Sequence, residues 1–407
     1  MAVSTPPAVK PPFRKVLLRR SLIALAAMVL ILVPSVVLFM ITKQPSATYA
    51  SMGAMIGMFA LIAGNRHLAV ITAIVVALLA PISIVAGLSP VTGAALMALM
   101  TLVVGRMSLF GLQRAVMLVP IFLAWTMLEP MPWITSADFT RINEVLSKSG
   151  GSMAQALNTV QSGSASSSSG SVPAEVTNAL IHLRFDSTYL AWVAVFFFVG
   201  AIVPVIVLPF ALRKVHMPKP VPHPRSEALP YTIAIAIITS AGTFYFLDRP
   251  KVVGGAFLIA TVLVLVQVGN DMEWKMAIDR VLGTFGGMAV LLGLVAVVGR
   301  ASYTVVMGIP MPMTYYGIGL VFGAFAIIAK FSPRHWIYFV LITPTAALLN
   351  AFTTSQAAEF GKQRVIDNAV GAGLVVIAAL FTLIASRYMD KRTPTEISTD
   401  APAASPV

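Results

Sequence analysis

The residues best suited to chemistry fall in two short stretches. One reads Trp274, Lys275, Met276, Ala277, Ile278, Asp279, Arg280, Val281, Leu282, Gly283, Thr284; the other reads Gln363, Arg364, Val365, Ile366, Asp367, Asn368, Ala369, Val370, Gly371. An ionisable side chain within an apolar run is costly and is a functional candidate by default. On a helix, residues three and four apart are neighbours, which puts Arg280 beside Gly283 and Thr284, and Arg364 on the face of Asp367 and Gly371. The small residues let a second helix approach and dehydrate the arginine. A guanidinium keeps its charge there and offers paired donors to a carboxylate. An aspartate close by can take up and release a proton. Arg280 and Arg364, with Thr284 and Asn350, are the candidate substrate-binding residues, and Asp367 and Asp279 the candidate proton carriers. A competing reading makes each arginine a snorkelling side chain paired with a carboxylate of its own helix, as Arg364 with Asp367. The sequence leaves both open.

Composition sets the elements that must position these residues. Of 407 residues 58% are hydrophobic and 11% charged, with a mean hydropathy of +0.88. Soluble domains carry about a quarter charged residues. The apolar runs have the length of spanning helices rather than of barrel strands, so the fold class is an all-α, polytopic transmembrane bundle. Spans are expected at 21–42, 47–64, 68–88, 90–105, 113–128 and 188–212, then at 228–247, 252–269, 277–299, 313–330, 334–350 and 364–386. The first follows Arg14, Lys15, Arg19 and Arg20 as a signal peptide would, but its apolar stretch is long enough to span and reads as a retained helix. The organisation is thus a basic N-terminus (1–20), a first membrane half (21–212), a join (213–227), a second half (228–386) and a Pro-, Ala- and Ser-rich tail (387–407) expected to be disordered.

Net charge is +13. With both termini inside, nineteen of the 28 basic residues fall in cytoplasmic segments, Arg280 among them, and Arg364 is one of the nine outside. That excess orients the protein in the membrane and removes the case for nucleic acid. The halves read as a parallel repeat: an offset of 205 aligns Arg20 with Arg225, Ser21 with Ser226, Pro45 with Pro250, Gly64 with Gly269 and Asn65 with Asn270 at the ends of expected spans. The join, with Pro218, Pro220, Pro222 and Pro224, is expected to be a stiff extended strap. The long loop 129–187 is expected outside, with short helices near 137–147 and 173–183 around a Ser/Gly linker at 161–171.

Several chemistries are missing. Cysteine is absent, which removes thiolate nucleophiles and Cys-based metal sites. No phosphate-binding loop of the G-x-x-x-x-G-K-[ST] type occurs. The five histidines lie in separate expected loops without metal-ligand spacing. Neither a cofactor nor an enzymatic activity is expected.

The stretch Arg280, Val281, Leu282, Gly283, Thr284, Phe285, Gly286, Gly287 resembles the R-x-x-G-T-x-x-G element of the fusaric acid resistance family of membrane proteins, which includes aromatic carboxylic acid efflux pumps. Arg364, Val365, Ile366, Asp367, Asn368, Ala369, Val370, Gly371 is similar to that family's second element, R-x-x-D-x-x-x-G. The resemblance covers roughly 252–387. It implies efflux of small aromatic or other organic acids from the inner membrane, often with a periplasmic adaptor (membrane fusion) protein. The chain departs from the family's bacterial exporters in having only the proline-rich strap where they carry a sizeable cytoplasmic domain. Together these readings give a proton-coupled exporter of organic anions, in contact with membrane lipids and with homo-oligomerisation left open. Trp125, Phe325 and Phe352 are candidates to line its path. The alternatives are a passive organic-anion channel and a non-transporting scaffold acting through the 129–187 loop.

Overall fold

The computed structural model describes residues 13–42, 44–131, 186–211, 220–249, 255–266, 268, 274–298, 303–306, 309–329, 334–350 and 354–392. Among them, eight helices are long and apolar enough to cross a membrane, and four shorter apolar helices accompany them. In chain order they are α1 (Phe13–Thr42), α2 (Tyr49–Ala63), α3 (Arg66–Ala86), α4 (Pro90–Ser108), α5 (Gln113–Leu128), α6 (Ser187–Ala211), α7 (Arg225–Asp248), α8 (Gly255–Leu265), α9 (Trp274–Val298), α10 (Met313–Ala329), α11 (His335–Asn350) and α12 (Thr354–Arg392). The protein is a multi-pass membrane protein, and its helices fall on the twelve apolar runs of the sequence. Two four-residue strands, β1 (Tyr303–Val306) and β2 (Ile309–Pro312), pair antiparallel as a small hairpin between α9 and α10. The two loop helices expected at 137–147 and 173–183 lie outside the described residues.

Local chemistry sets several helix ends. Asn65 caps α3 by accepting from the Leu68 N–H at 2.8 Å, one of the donors a helix start leaves open. Pro90 opens α4 where no amide donor is needed. Large apolar side chains such as Ile41, Leu78 and Ile384 are two-thirds exposed. A soluble bundle would turn such residues inward; around a membrane bundle they face lipid tails.

Helices in lipid gain little from apolar burial and associate instead through close packing. In the first half, α2 and α6 meet at Gly53, Gly57 and Gly200: a side chain on Gly57 would strike the Ala201 backbone, and one on Gly200 the Ala50 backbone. In the second half, Gly283 and Gly287 of α9 lie against the backbone of Trp336 and Val340 of α11. Helix α6 packs on α1, α2 and α3, and α5 packs on α3. Likewise α12 packs on α7, α8 and α9, and α11 packs on α9. Helices α1–α6 touch α7–α12 where α4 lies along α7, where α1 meets α10 and where α5 meets α8. A core of Met97, Ile121, Met127, Ile235, Ile259 and Val375 draws on α4, α5, α7, α8 and α12.

Two elements position the site. Helix α8 has 11 residues and is buried on nearly all sides. Its described turns cover about 16 Å of a hydrocarbon core of about 30 Å. Helix α12 has 39 residues, about 58 Å, and begins ten residues before Arg364 rather than at it. It lies parallel to α8 and antiparallel to α9: Asn368 meets Thr261 and Arg280, while Gly361 approaches Met288 and Leu291 of α9.

Candidate functional site

Thr261 is the single polar residue of α8 and is fully buried. A threonine in a helix interior returns its hydroxyl to the carbonyl four residues back, and Thr261 Oγ1 lies 2.7 Å from the Phe257 carbonyl oxygen. The same oxygen accepts from Arg280 Nη2 at 2.8 Å and lies 2.7 Å from Asn368 Oδ1. Asn368 Oδ1 accepts from Arg280 Nε at 2.9 Å. The Asn368 amide donates to the Arg364 carbonyl at 2.9 Å and to Thr284 Oγ1 at 3.3 Å. Thr284 donates to the Arg280 carbonyl at 2.7 Å. Arg280, Thr284, Asn368 and Thr261 thus form one buried polar clasp joining α8, α9 and α12.

Arg364, one turn before Asn368, is held differently. Its guanidinium carbon lies 4.5 Å from the Phe257 ring centroid, and Phe257 meets Trp125 of α5 edge to face at 4.8 Å between ring centroids. A cation over an aromatic face is attracted by the ring quadrupole. Arg364 Nε is buried without a hydrogen-bond partner. Asp367 is 2% exposed; its Oδ1 accepts from Gln363 Nε2 at 3.0 Å, and its Oδ2 is buried without a partner. Arg280 lies within electrostatic range of Arg364, and Asp367 within range of Arg364 and of Glu129 at the end of α5. Arg280 also lies over the Phe339 ring of α11, 5.4 Å from its centroid.

Measured against the sequence reading, the structure gathers Arg280, Thr284, Arg364 and Asp367. It corrects their placement: full spans in strict alternation put Arg280 at the inner and Arg364 at the outer membrane face. The early start of α12 carries Asn368, one turn past Arg364, to the level at which α9 begins. Gln363 donates to Asp367 Oδ1, and Arg364 and Asp367 lie within electrostatic range of one another along their helix. Asp279 is half-buried on α9 with Oδ2 unpartnered and takes no part in the clasp. Asn350 ends α11, and its side chain lies outside the described residues. Trp125 adjoins the site through Phe257, Phe325 is 58% exposed, and Phe352 is not among the described residues. Thr261 and the role of Asn368 were missed. A lone hydroxyl at the centre of a short, wholly apolar run was the signal for Thr261.

The fold and site define a multi-pass membrane protein with a buried, cation-rich polar site among its helices. Residues 274–378, which hold α9 to α11, most of α12 and the site residues Arg280, Thr284, Arg364, Asp367 and Asn368, match the family described as fusaric acid resistance protein-like. Neither a curated protein nor a solved structure matches the chain.

Proposed function

We propose that the protein is a secondary transporter of the cytoplasmic membrane that exports small organic, chiefly aromatic, carboxylic acids and couples their movement to protons. The observation that carries the proposal is the Arg364–Asp367 turn of α12: a buried guanidinium nitrogen and a buried carboxylate oxygen, both without hydrogen-bond partners, next to the Phe257 and Trp125 rings. An unmet buried polar atom costs about 1–3 kcal/mol, a cost a ligand removes on binding. An acid offers its carboxylate to Arg364 and its apolar body to the rings, and Asp367 carries the proton. The family match on the same helices supports transport.

The recurrence of packing partners supports a parallel repeat, α1–α6 and α7–α12. The excess of basic residues in the segments assigned to the cytoplasm supports cytoplasmic termini, with the 129–187 loop outside as the place for a periplasmic adaptor.

The test is flux of labelled benzoate and 4-hydroxybenzoate in inside-out vesicles, with and without an imposed proton gradient. Wild type is expected to accumulate acid in a gradient-dependent way. Arg364→Ala is expected to lose about tenfold or more, as when a charge-assisted hydrogen bond is removed, and Asp367→Asn to lose transport. Undiminished, gradient-independent flux in Asp367→Asn identifies a passive anion channel. Wild-type membranes that move no acid overturn the proposal.

A further inference from the structure

The guanidinium of Arg280 is already fully engaged along one edge. Its Nε and Nη2 donate side by side to Asn368 Oδ1 at 2.9 Å and Thr261 Oγ1 at 2.8 Å, and those two oxygens lie 2.7 Å apart. Two close oxygens taking the two parallel N–H bonds of one guanidinium edge reproduce the way a single carboxylate sits on an arginine fork. Here the oxygens come from different helices and are both neutral. Arg280 is 9% exposed, and among the described residues no acidic side chain is hydrogen-bonded to it. A buried cation held by neutral acceptors keeps its charge uncompensated.

We propose that Asn368 and Thr261 are stand-ins for the substrate carboxylate: they occupy the Arg280 fork, and the anion displaces them on binding. This rests on the reading of the protein as an organic-anion transporter and adds how the second arginine is reached. The carboxylate enters at Arg364, one helical turn from Asn368 on α12. It then takes the Nε and Nη2 donors of Arg280, because a charge-assisted hydrogen bond is roughly twice as strong as a neutral one. The Asn368 carboxamide is planar and turns as a unit, so its displacement also gives up the bonds its amide makes to the Arg364 carbonyl and Thr284. Release of Asn368 Oδ1 and Thr261 from one another and from Arg280 unpins α8 from α9 and α12, so that filling the site loosens the three helices that surround it. Asn368 is a positioning residue in this scheme, acting through Arg280.

The clasp makes a prediction opposite in sign to that of a purely structural role. Removing a competing acceptor strengthens substrate binding, whereas removing a structural bond weakens it or leaves it unchanged. Benzoate binding to the purified full-length protein in detergent, read by isothermal calorimetry, is compared for wild type, Asn368→Ala, Thr261→Val and Asn368→Asp. Asn368→Ala and Thr261→Val are each expected to bind about three- to tenfold more tightly, the worth of one neutral hydrogen bond. Asn368→Asp, which gives Arg280 a permanent carboxylate, is expected to bind at least about tenfold more weakly. Thr261→Val is close to isosteric and keeps the test open if Asn368→Ala does not fold. Equal or weaker binding by the folded Ala and Val variants overturns the clasp, as does the absence of benzoate binding in every form. The vesicle flux separates the two readings. Tighter binding by the variants in a protein that moves no acid leaves the clasp standing and removes transport. Wild-type flux with unchanged variant affinity does the reverse.

Discussion

Arg280 and Arg364 lie on neighbouring helices and carry the same charge, and burial makes such a pair costly unless other groups offset it. The offsets differ. Arg280 is held by Asn368 and Thr261 and lies over Phe339; Arg364 lies over Phe257, with Asp367 one turn along within electrostatic range. Both arginines therefore use an aromatic face, which a lysine matches poorly because its ammonium is a compact, strongly hydrated charge without a planar fork. Arg364→Lys is accordingly expected to retain less than about a tenth of wild-type benzoate flux although the charge is conserved. Flux equal to wild type would mean that charge alone, not the planar fork on Phe257, is what the site needs. Four of the site's residues were legible in the sequence, because Arg280 with Thr284 and Arg364 with Asp367 are polar groups at helical spacing in apolar surroundings. Thr261 was not: it precedes Arg280 by 19 residues, and only the folding of α8 against α9 and α12 brings it there. Gln363, four residues before Asp367, takes one oxygen of that carboxylate at i, i+4, while Arg364 stays within electrostatic range of Asp367.

At the scale of elements, the apolar runs located all twelve helices, most of them to within a few residues at each end, because a segment surrounded by lipid or by other helices must be apolar and satisfy its backbone internally. It misplaced the start of α12. The segment 354–363 is polar enough to end an apolar run yet holds no proline and continues the helix. Hydropathy reports where a helix is greasy, and hydrogen bonding decides where it begins. The short hairpin at 303–312 went unread because two four-residue strands leave little pattern in an apolar sequence. Close helix approach was readable in part: the glycines near Arg280 were expected to admit a second helix, and α11 fills that position. Glycine's role differs sharply by site. At Gly200 an added methyl meets the Ala50 backbone, which cannot yield, while at Gly293 it meets nothing within 4 Å. Gly200→Ala is expected to lower the thermal unfolding midpoint of the detergent-purified protein by separating α2 from α6. Gly293→Ala, relieved of glycine's backbone entropy in a helix, is expected to be neutral or to stabilise by about 0.5–1 kcal/mol. A midpoint for Gly200→Ala no lower than that for Gly293→Ala would contradict the close α2–α6 packing.

At the scale of the molecule, the proposed transporter of two halves makes a mechanical demand. A site reached from each side of the membrane in turn requires one half to rock against the other, and every seam between them must then shear. The longest seam is α4 against α7, antiparallel, with Gly105 facing Thr232 toward one end and Gly93 facing Leu247 toward the other. Between these ends the buried Thr239 hydroxyl reaches that of Thr101 at 3.4 Å, a weak bond that resists sliding little. The chain has no cysteine, so a disulfide introduced across the seam is the only one that can form within it. Oxidation of a Gly105→Cys, Thr232→Cys double variant locks one end, and oxidation of Gly93→Cys, Leu247→Cys locks the other. A rocking transporter must open at both ends during one cycle. Each cross-link alone is therefore expected to stop benzoate flux, and reduction of the disulfide to restore it. A passive conduit through α8, α9 and α12 would conduct with the α4–α7 seam immobilised. Full flux in both oxidised variants would place the moving parts within the second half, around the Arg280 clasp, rather than between the halves.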